Sequence, residues 1–249
     1  MRQFVAPYLN KNSRVLDAGC GRWNNLIDPT DVQELVGIDR NSRAIAENRS
    51  ISRGIVADLE ALADVDLGEK VDFVMCVDVA EHLSDPIRFV ANVARVLKVG
   101  GYFFIAAPNK VCMAGIATAL LPTRAIKFLY RLVEGIETPN ETHYYRLNTV
   151  SSMDGCLRSM GFDDLHFVVF SPRMGRRGSM RWWLLSPDYV IGRMGLLKHY
   201  SLQILCLARL AVPLPDGGSR TNLEQRPGRQ GTSVIKREPR RLHKRSSVS

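Results

Sequence analysis

Four aspartates in the first 80 residues each follow a short apolar run, and this repeated pattern limits the possible fold more than any other feature. They are Asp17, Asp39, Asp58 and Asp78. The runs have the length of strands, and several are continuously apolar, which is typical of parallel strands buried on both faces. A single aspartate in such a position is often only a helix N-cap. Four in succession indicate strand ends that converge on a ligand carrying a nucleoside.

Strands and helices alternate over the first two-thirds of the chain. The predicted strands cover residues 14–16, 34–38, 54–57, 71–77 and 102–106, and the predicted helices cover 42–49 and 85–97. The second helix has Pro86 in its first turn and the pair Gly100 and Gly101 at its expected end. Repeated strand–helix–strand units imply right-handed crossovers, so we expect an α/β fold with a doubly wound sheet. Ligands of such sheets bind beyond the carboxyl ends of the strands.

The first strand runs into a glycine turn, VLDAGCGRWNN, which begins at Val15. Gly19 and Gly21 can adopt positive φ angles and allow a ligand to approach the backbone closely. Two glycines after a strand are weak evidence by themselves, because many turns of this kind bind nothing. The evidence that this turn binds a ligand is strengthened by the acids at the following strand ends, particularly by Asp39, about twenty residues further on.

Length and cysteine content favour one intracellular domain. A chain of 249 residues can bury a sizeable core. Its five cysteines are an odd number without close pairs, which is typical of a reduced protein rather than a disulfide scaffold. No secretory signal is recognisable at the start and no segment has the roughly 20 uninterrupted apolar residues of a membrane span. We therefore expect a cytoplasmic protein.

Most of the net charge of +9 lies near the end of the chain, where residues 219–249 hold nine Lys and Arg residues and two Glu. The remainder is nearly neutral. Because this tail is rich in Pro, Gly and Ser and poor in apolar residues, we expect it to be disordered. It is either a solvated tail without a partner or an electrostatic tether to anionic lipid or nucleic acid.

Five segments, in order and at suitable spacing, resemble the class I S-adenosylmethionine-dependent methyltransferases, a group that includes the ubiquinone-biosynthesis O-methyltransferases. They are VLDAGCG, VGID, VADLE, VDFVMCVDVAEHLSDP and LKVGGYFFIAAPN, and the resemblance extends from about residue 15 to 170. It implies a seven-stranded Rossmann-like sheet, mostly parallel, with strand six at 167–170 and strand seven, antiparallel, at 203–208. It also implies S-adenosylmethionine as cofactor and S-adenosylhomocysteine as product.

The resemblance assigns the first part of the cofactor site to the ends of strands one and two. Asp17, Gly19 and Gly21 would surround the methionine portion of the cofactor. Asp39 would bind the ribose hydroxyls, and Arg40 would lie beside the adenine.

The remaining implied contacts follow strands three and four. Asp58 would bond to the adenine amine and Leu59 would contact the ring. Asp78 and Val79 would lie below the sulfonium, and residues 81–83 would form the loop that faces the acceptor. No metal site is expected, because Glu81 and His82 have no further ligands at recognisable spacing.

One position departs from the family pattern, because Trp23 stands where a third glycine is usual. Three interpretations are open. The ring forms a wall of the cofactor pocket, where it could make a cation–π contact of about 1 kcal/mol with the sulfonium. Alternatively, it packs below the loop, or it fills the cofactor site and the protein is a degenerate member of the family.

Two histidines are candidates for catalysis. Methyl transfer mainly requires alignment of donor and acceptor, but an oxygen acceptor must also lose a proton. His82 follows the fourth strand, next to the expected methyl group, and is the first candidate for the base or for an acceptor-orienting residue. His143, within ETHYYRL, is the second.

The acceptor class is inferred from what the chain adds to the common core. We predict a methyltransferase domain over residues 1–212, with insertions at about 109–140 and 171–200, and a basic tail over 213–249. In the second insertion, arginines beginning at Arg173 stand directly before tryptophans and leucines ending at Leu185, the composition of an interfacial membrane anchor. The same composition also fits a capping element or dimer contact.

The predicted function is therefore methyl transfer to a small-molecule, lipid-linked or saccharide-linked acceptor, with oxygen as the favoured atom. Peripheral contact with an anionic membrane is expected if the anchor forms. An RNA methyltransferase is an alternative suggested by the basic tail, but no RNA-binding domain or Asn-Pro-Pro-Tyr signature accompanies it, so nucleic acid is a disfavoured partner. A non-catalytic cofactor-binding or membrane-associated protein is the other alternative.

Overall fold

The computed structural model describes residues 1–23, 26–112, 143–170 and 201–214. Seven strands in these stretches form one sheet: β1 (Arg14–Ala18), β2 (Glu34–Asp39), β3 (Arg53–Val56), β4 (Val71–Val77), β5 (Leu97–Pro108), β6 (Phe162–Phe170) and β7 (Gln203–Leu210). The same stretches contain four α-helices: α1 (Arg2–Val5), α2 (Ser42–Glu47), α3 (Pro86–Val96) and α4 (Val150–Ser159).

The strands lie in the order β3-β2-β1-β4-β5-β7-β6. The first five in this order are parallel, and β7 is antiparallel to both of its neighbours, β5 and β6. The predicted doubly wound sheet and its antiparallel seventh strand are thus confirmed. Because the chain builds outward in opposite directions from β1 and β4, a topological switch point lies between these two strands.

Two predicted features lie outside the described residues: most of the two insertions, and the basic tail beyond residue 214. In the part of the chain that is described, no helix combines the length and the apolar character needed to cross a membrane.

Alternate side chains of β5 enter two apolar layers on opposite faces of the sheet. Phe103 packs in the layer that contains α3 and α4, with its ring centroid 6.0 Å from that of Phe89. The next residue, Phe104, lies in the other layer, 5.9 Å from the ring of Phe4 in α1. This alternation is the period of two that a strand imposes, and it buries the sheet on both faces.

Helix α3 begins at Pro86, one residue after its predicted start, with Asp85 as its N-cap. The side chain of Asp85 accepts a hydrogen bond from the backbone N–H of Arg88 at 3.1 Å, and Pro86 occupies the first turn. Its apolar stripe, represented by Phe89 and Val93, is buried against the sheet. The helix therefore presents its capped end to the loop that follows β4.

The end of α3 differs from the prediction. The helix stops at Val96, and the pair at 100–101 lies inside β5 rather than after the helix. Leu97 already has an extended backbone and pairs with Val71. Leu97 is fully buried, as it would also be in a longer helix, so the apolar pattern could not distinguish the two conformations.

Strand β6 is also longer than predicted, because it begins at Phe162 rather than at residue 167. Phe162 is buried and pairs with Leu210. The register then shifts between Asp163 and His166, where the strand contains exposed acidic residues. Only the apolar second half of β6 therefore has the sequence pattern of a strand. The prediction for β4 matches the observed bounds. Strand β5, predicted at 102–106, begins five residues earlier and ends two residues later, and the remaining strands and α2 differ from their predicted bounds by one or two residues.

The turn between α4 and β6 depends on a glycine. Gly161 has a φ of +87°, and a Cβ atom there would lie 2.5 Å from the carbonyl oxygen of Val212. We expect Gly161→Ala to lower the free energy of unfolding by about 2 kcal/mol, because alanine adds both left-handed strain and a backbone clash. Urea unfolding of the full chain measures this change.

Gly155 provides the matched control, since it lies within α4 and a Cβ atom there meets nothing within 4 Å. Gly155→Ala should raise the free energy of unfolding by about 0.5 to 1 kcal/mol through helix propensity. Equal effects of the two substitutions would contradict the assignment of strain to Gly161.

Candidate active site

The loop after β1 meets the loop after β4 at the switch point. Gly19 has a φ of +84°, and its backbone N–H donates to the carbonyl oxygen of Ile38 at 2.8 Å. A Cβ atom at Gly19 would lie 2.3 Å from Cγ2 of Val79. Glycine at this position therefore allows a contact between two predicted cofactor residues that are 60 positions apart.

Asp39 ties the same loop to the end of β2. Its Oδ2 accepts a hydrogen bond from the N–H of Gly21 at 2.9 Å, and its Oδ1 accepts one from the N–H of Asn41 at 2.8 Å. A Cβ atom at Gly21 would meet nothing within 4 Å. The loop thus presents bare backbone to open space beside a carboxylate, which is a cradle that a ligand can enter.

Asn48, which follows α2, supports this loop and is not among the residues that the sequence predicts for the site. Its side chain is buried and its Nδ2 donates to the carbonyl oxygens of Cys20 at 3.2 Å and Gly21 at 3.1 Å. No local pattern marks this residue, because the bonds join positions almost thirty residues apart.

The predicted adenine contacts lie at the end of β3. Asp58 is exposed and its side chain accepts from the N–H of Glu60 at 2.8 Å, so it caps a short 3₁₀ helix. Leu59 is nine-tenths buried in the layer that contains α3, and Arg40 is exposed beside Asp39. The roles of these residues toward adenine stay predictions.

Carboxyl groups gather where β1 and β4 end. Asp17 is buried at the end of β1, and Asp78, after β4, reaches solvent with a left-handed φ of +53°. The surrounding protein still removes part of the water around this carboxyl group, and this desolvation raises the pKa of Asp78. Burial, followed by the charges of Glu81, Asp17 and Asp78, holds the pKa of the Cys76 thiol well above its usual range. The acids from β1 and from the loop after β4 therefore share one site.

Glu81 is the most deeply buried acid of the loop after β4. Its side chain lies in the short 3₁₀ helix Ala80–His82 and is 6% exposed. Burial, with a smaller contribution from the charge of Asp78, raises the pKa of Glu81 to about 7. Its backbone carbonyl accepts hydrogen bonds from the N–H groups of Tyr144 at 2.7 Å and Tyr145 at 3.2 Å. The loop after β4 and the segment before α4 are thereby joined.

The two candidate histidines come together at this junction. The ring centroids of His82 and His143 are 4.5 Å apart, and the ring of Tyr145 stacks on His143 at 5.5 Å. His143 is exposed and His82 is half-buried. The structure therefore places both predicted catalytic residues in one aromatic row, although neither role is thereby tested.

Further contacts hold the loop from both sides. Arg146 donates from Nη1 to the carbonyl oxygen of Ser84 at 2.6 Å, and its guanidinium lies over the ring of Tyr144 at 5.4 Å. On the other side, the carboxylate of Glu60 accepts from the N–H and Oγ of Ser84 and from the N–H of Asp85. Burial acts to raise the pKa of Glu60, but these hydrogen bonds outweigh it and the pKa is lowered.

Trp23 does not pack in the protein core below the glycine loop, since its side chain is 71% exposed. Its neighbours 24 and 25 lie outside the described residues. The prediction that its ring forms a wall of the cofactor pocket stays untested. Within the described stretches, His, Cys, Asp and Glu side chains form no group of three or more that could hold a metal ion.

Comparison with known proteins identifies the family and the fold of this chain. Residues 1–166 match the family model described as a methyltransferase domain. A ubiquinone biosynthesis O-methyltransferase from Chelativorans sp. is 30% identical over 197 residues, which cover 74% of this chain and 71% of that protein. A protein of the same name from Rhizobium etli is 27% identical, covering 75% of this chain and 73% of that protein.

Solved structures share the fold at lower identity. An S-adenosylmethionine-dependent methyltransferase from Mesorhizobium loti has a TM-score of 0.54 and 17% identity, covering 84% of this chain and 95% of its own. The plantazolicin methyltransferase, crystallised with SAH, has a TM-score of 0.54 and 15% identity, covering 85% and 82%.

Glu81 predicts an unusual pH dependence of stability. Because its pKa is raised from 4.5 to about 7 in the folded protein, the unfolded chain releases the proton first as the pH rises. The contribution of Glu81 to stability should therefore be lost between about pH 4.5 and pH 7, by roughly 2 to 3 kcal/mol. Glu81→Gln should remove this loss, so that the variant unfolds at higher urea concentration than the wild type at pH 7.5.

Glu60→Gln is the control of opposite sign. The hydrogen-bonded carboxylate of Glu60 has a lowered pKa, so its stabilisation is present at neutral pH and disappears as the pH falls through that pKa. Glu60→Gln should be destabilising at pH 7.5 and nearly neutral in acid. A difference between Glu81→Gln and wild type that stays constant from pH 4.5 to 7.5 would contradict the buried, protonated state of Glu81.

Proposed function

Because this chain belongs to the class I S-adenosylmethionine-dependent methyltransferases, we propose that it methylates an oxygen atom of a small-molecule acceptor bound over the loop after β4. The observation that carries the proposal is the ring contact between His82 and His143. His82 belongs to the loop after β4, and the same loop approaches Gly19 through Val79. The curated relatives, which are O-methyltransferases by name, support the choice of oxygen.

The residues of the switch point fit the cofactor. A side chain at Gly19 would collide with Val79, and a side chain at Gly21 would project into the open space beside the loop from a strained, positive φ. Asp39 provides a carboxylate next to this space. In our proposal Asp39 binds the ribose hydroxyls, Asp58 bonds to the adenine amine, and Asp17 and Asp78 lie near the methionine end. The bound cofactor supplies an activated methyl group on a sulfonium, which is a good leaving group.

The protein's own contribution is to align the acceptor and to remove its proton. Positioning accounts for most of the rate of such a transfer. An imidazole can take a proton near neutral pH, so His82 serves as the base and His143 orients it through the ring contact. Glu81 keeps the loop in place through its backbone carbonyl.

An amphiphilic acceptor, such as a lipid, a quinone precursor or a lipid-linked saccharide, remains our proposal for the substrate class. It draws on the arginine–tryptophan segment at 173–185 and on the word ubiquinone in the names of the relatives. Membrane contact through that segment and the basic tail also remains a prediction of the sequence. The relatives favour this small-molecule function over RNA methylation and over a non-catalytic role.

Cofactor binding is tested by calorimetric titration of the full chain with S-adenosylmethionine and S-adenosylhomocysteine. We expect micromolar binding to the wild type. Asp39→Ala should weaken it by about 100-fold or more, because the variant loses charged hydrogen bonds to the ribose and the anchor of Gly21.

Asp66→Ala is the matched control. Asp66 accepts a hydrogen bond from the N–H of Gly68 at 2.8 Å, but it lies before β4, at the amino-terminal end of that strand and so at the opposite end from the proposed cofactor site. The Asp66→Ala variant should bind the cofactor with wild-type affinity. Absence of binding by folded wild-type protein would overturn the proposed function.

The base is tested with the first acceptor that gives turnover in a screen of small phenols and lipid extracts. His82→Gln should lower kcat by about 100- to 10,000-fold, the range typical of a lost general base, with unchanged affinity for S-adenosylhomocysteine. His166→Gln is the control, because His166 lies on β6, where its Nε2 is 3.0 Å from Oδ1 of Asp164. If His82→Gln keeps wild-type kcat across pH 6–9, the proton is not taken by His82.

A further inference from the structure

The peptide between Cys20 and Gly21 is held at both of its polar atoms. Its carbonyl oxygen accepts a hydrogen bond from Nδ2 of Asn48 at 3.2 Å, and its N–H donates to Oδ2 of Asp39 at 2.9 Å. The carbonyl and the N–H of a trans peptide point to opposite sides, so two groups on opposite sides fix the orientation of the plane. No cis bond occurs in the described stretches of the chain.

The next peptide is held by the same side chain. Nδ2 of Asn48 also donates to the carbonyl oxygen of Gly21 at 3.1 Å. This carbonyl therefore points toward Asn48, and the N–H of Arg22 points away from it. One amide group thus sets the direction of two successive peptides. They lie where glycines with positive φ give the backbone its greatest conformational freedom.

The orientation of the Asn48 amide is itself determined. Its Oδ1 accepts a hydrogen bond from the N–H of Ser50 at 2.8 Å, which requires the oxygen to lie on that side. The nitrogen must then face the two carbonyls. Asn48 also caps the C-terminal end of α2, and its side chain is 8% exposed. It is therefore a buried group with a fixed donor, built into the scaffold rather than into the loop.

We propose that Asn48 is a positioning residue for the cofactor: it holds the glycine loop in its binding conformation before the ligand arrives. This inference rests on the proposed function, since it assumes that the loop from Gly19 to Gly21 binds S-adenosylmethionine. A loop that is ordered beforehand does not lose conformational freedom on binding, which strengthens affinity without adding a contact to the ligand.

Asn48→Asp tests the proposal with almost no change of shape. An aspartate can still accept the N–H of Ser50, but it turns a negative oxygen toward the carbonyls of Cys20 and Gly21. Calorimetry on the full chain should show affinity for S-adenosylmethionine lowered by about 10- to 100-fold, the effect of losing two buried hydrogen bonds. In turnover assays, KM for the cofactor should rise by the same factor while kcat at saturation stays within about twofold.

Asn148→Asp is the matched control for a general loss of stability. Asn148 is fully buried and its Nδ2 donates to the carbonyl oxygen of Pro108 at 3.0 Å, outside the glycine loop. This variant should lower the melting temperature of the cofactor-free protein without changing its affinity for S-adenosylmethionine. If both variants lose affinity in proportion to their loss of stability, Asn48 has only a structural role.

Asn48→Ala provides a second test should the aspartate variant fail to fold. It removes the donor without introducing a charge, and we expect affinity for S-adenosylmethionine to fall by about 5- to 10-fold. Wild-type affinity in a folded Asn48→Ala protein would overturn the inference. Failure of the wild type to bind would instead overturn the proposed function, so the two outcomes are separable.

Discussion

The parallel pairing of β1 with both β2 and β4 is the constraint on which the site depends. In this register Ala18 lies opposite Ile38, and Asp17 lies opposite Met75, so the three strands end at nearly the same level. The loops that follow them must then share a small space. Gly19 makes this possible, because a side chain there would occupy the position of Val79. The proposed cofactor site thus depends on strand register combined with one missing Cβ atom.

The loop after β4 illustrates how a short irregular segment becomes a defined surface. The carbonyl of Glu81 accepts two N–H groups from the segment before α4, and the loop carbonyl at Ser84 accepts the guanidinium of Arg146. Glu60 holds the same loop from the side of β3. These contacts come from two separate parts of the chain, residues 144–146 and Glu60, so the position of His82 is set by tertiary structure rather than by its own neighbours.

The two glutamates of this region show how environment divides identical side chains between opposite tasks. Glu60 is surrounded by donors, which stabilise its charge and lower its pKa. Glu81 is buried near the charge of Asp78, and both effects favour its protonated form. An enzyme of this family transfers an intact methyl group and needs a rigid, correctly charged frame around the reacting atoms more than it needs reactive side chains.

The sequence by itself determined the elements whose signal is local. The apolar run of β4, the capped start of α3 and the glycine turn after β1 are all contained in windows of a few residues, and the motif order indicated the family. Only the tertiary structure decided the contacts that join distant positions: Asn48 with the glycine loop, and His82 with His143, 61 residues later. Such pairs leave no periodic pattern, because they depend on where parallel strands end and how loops fold over those ends.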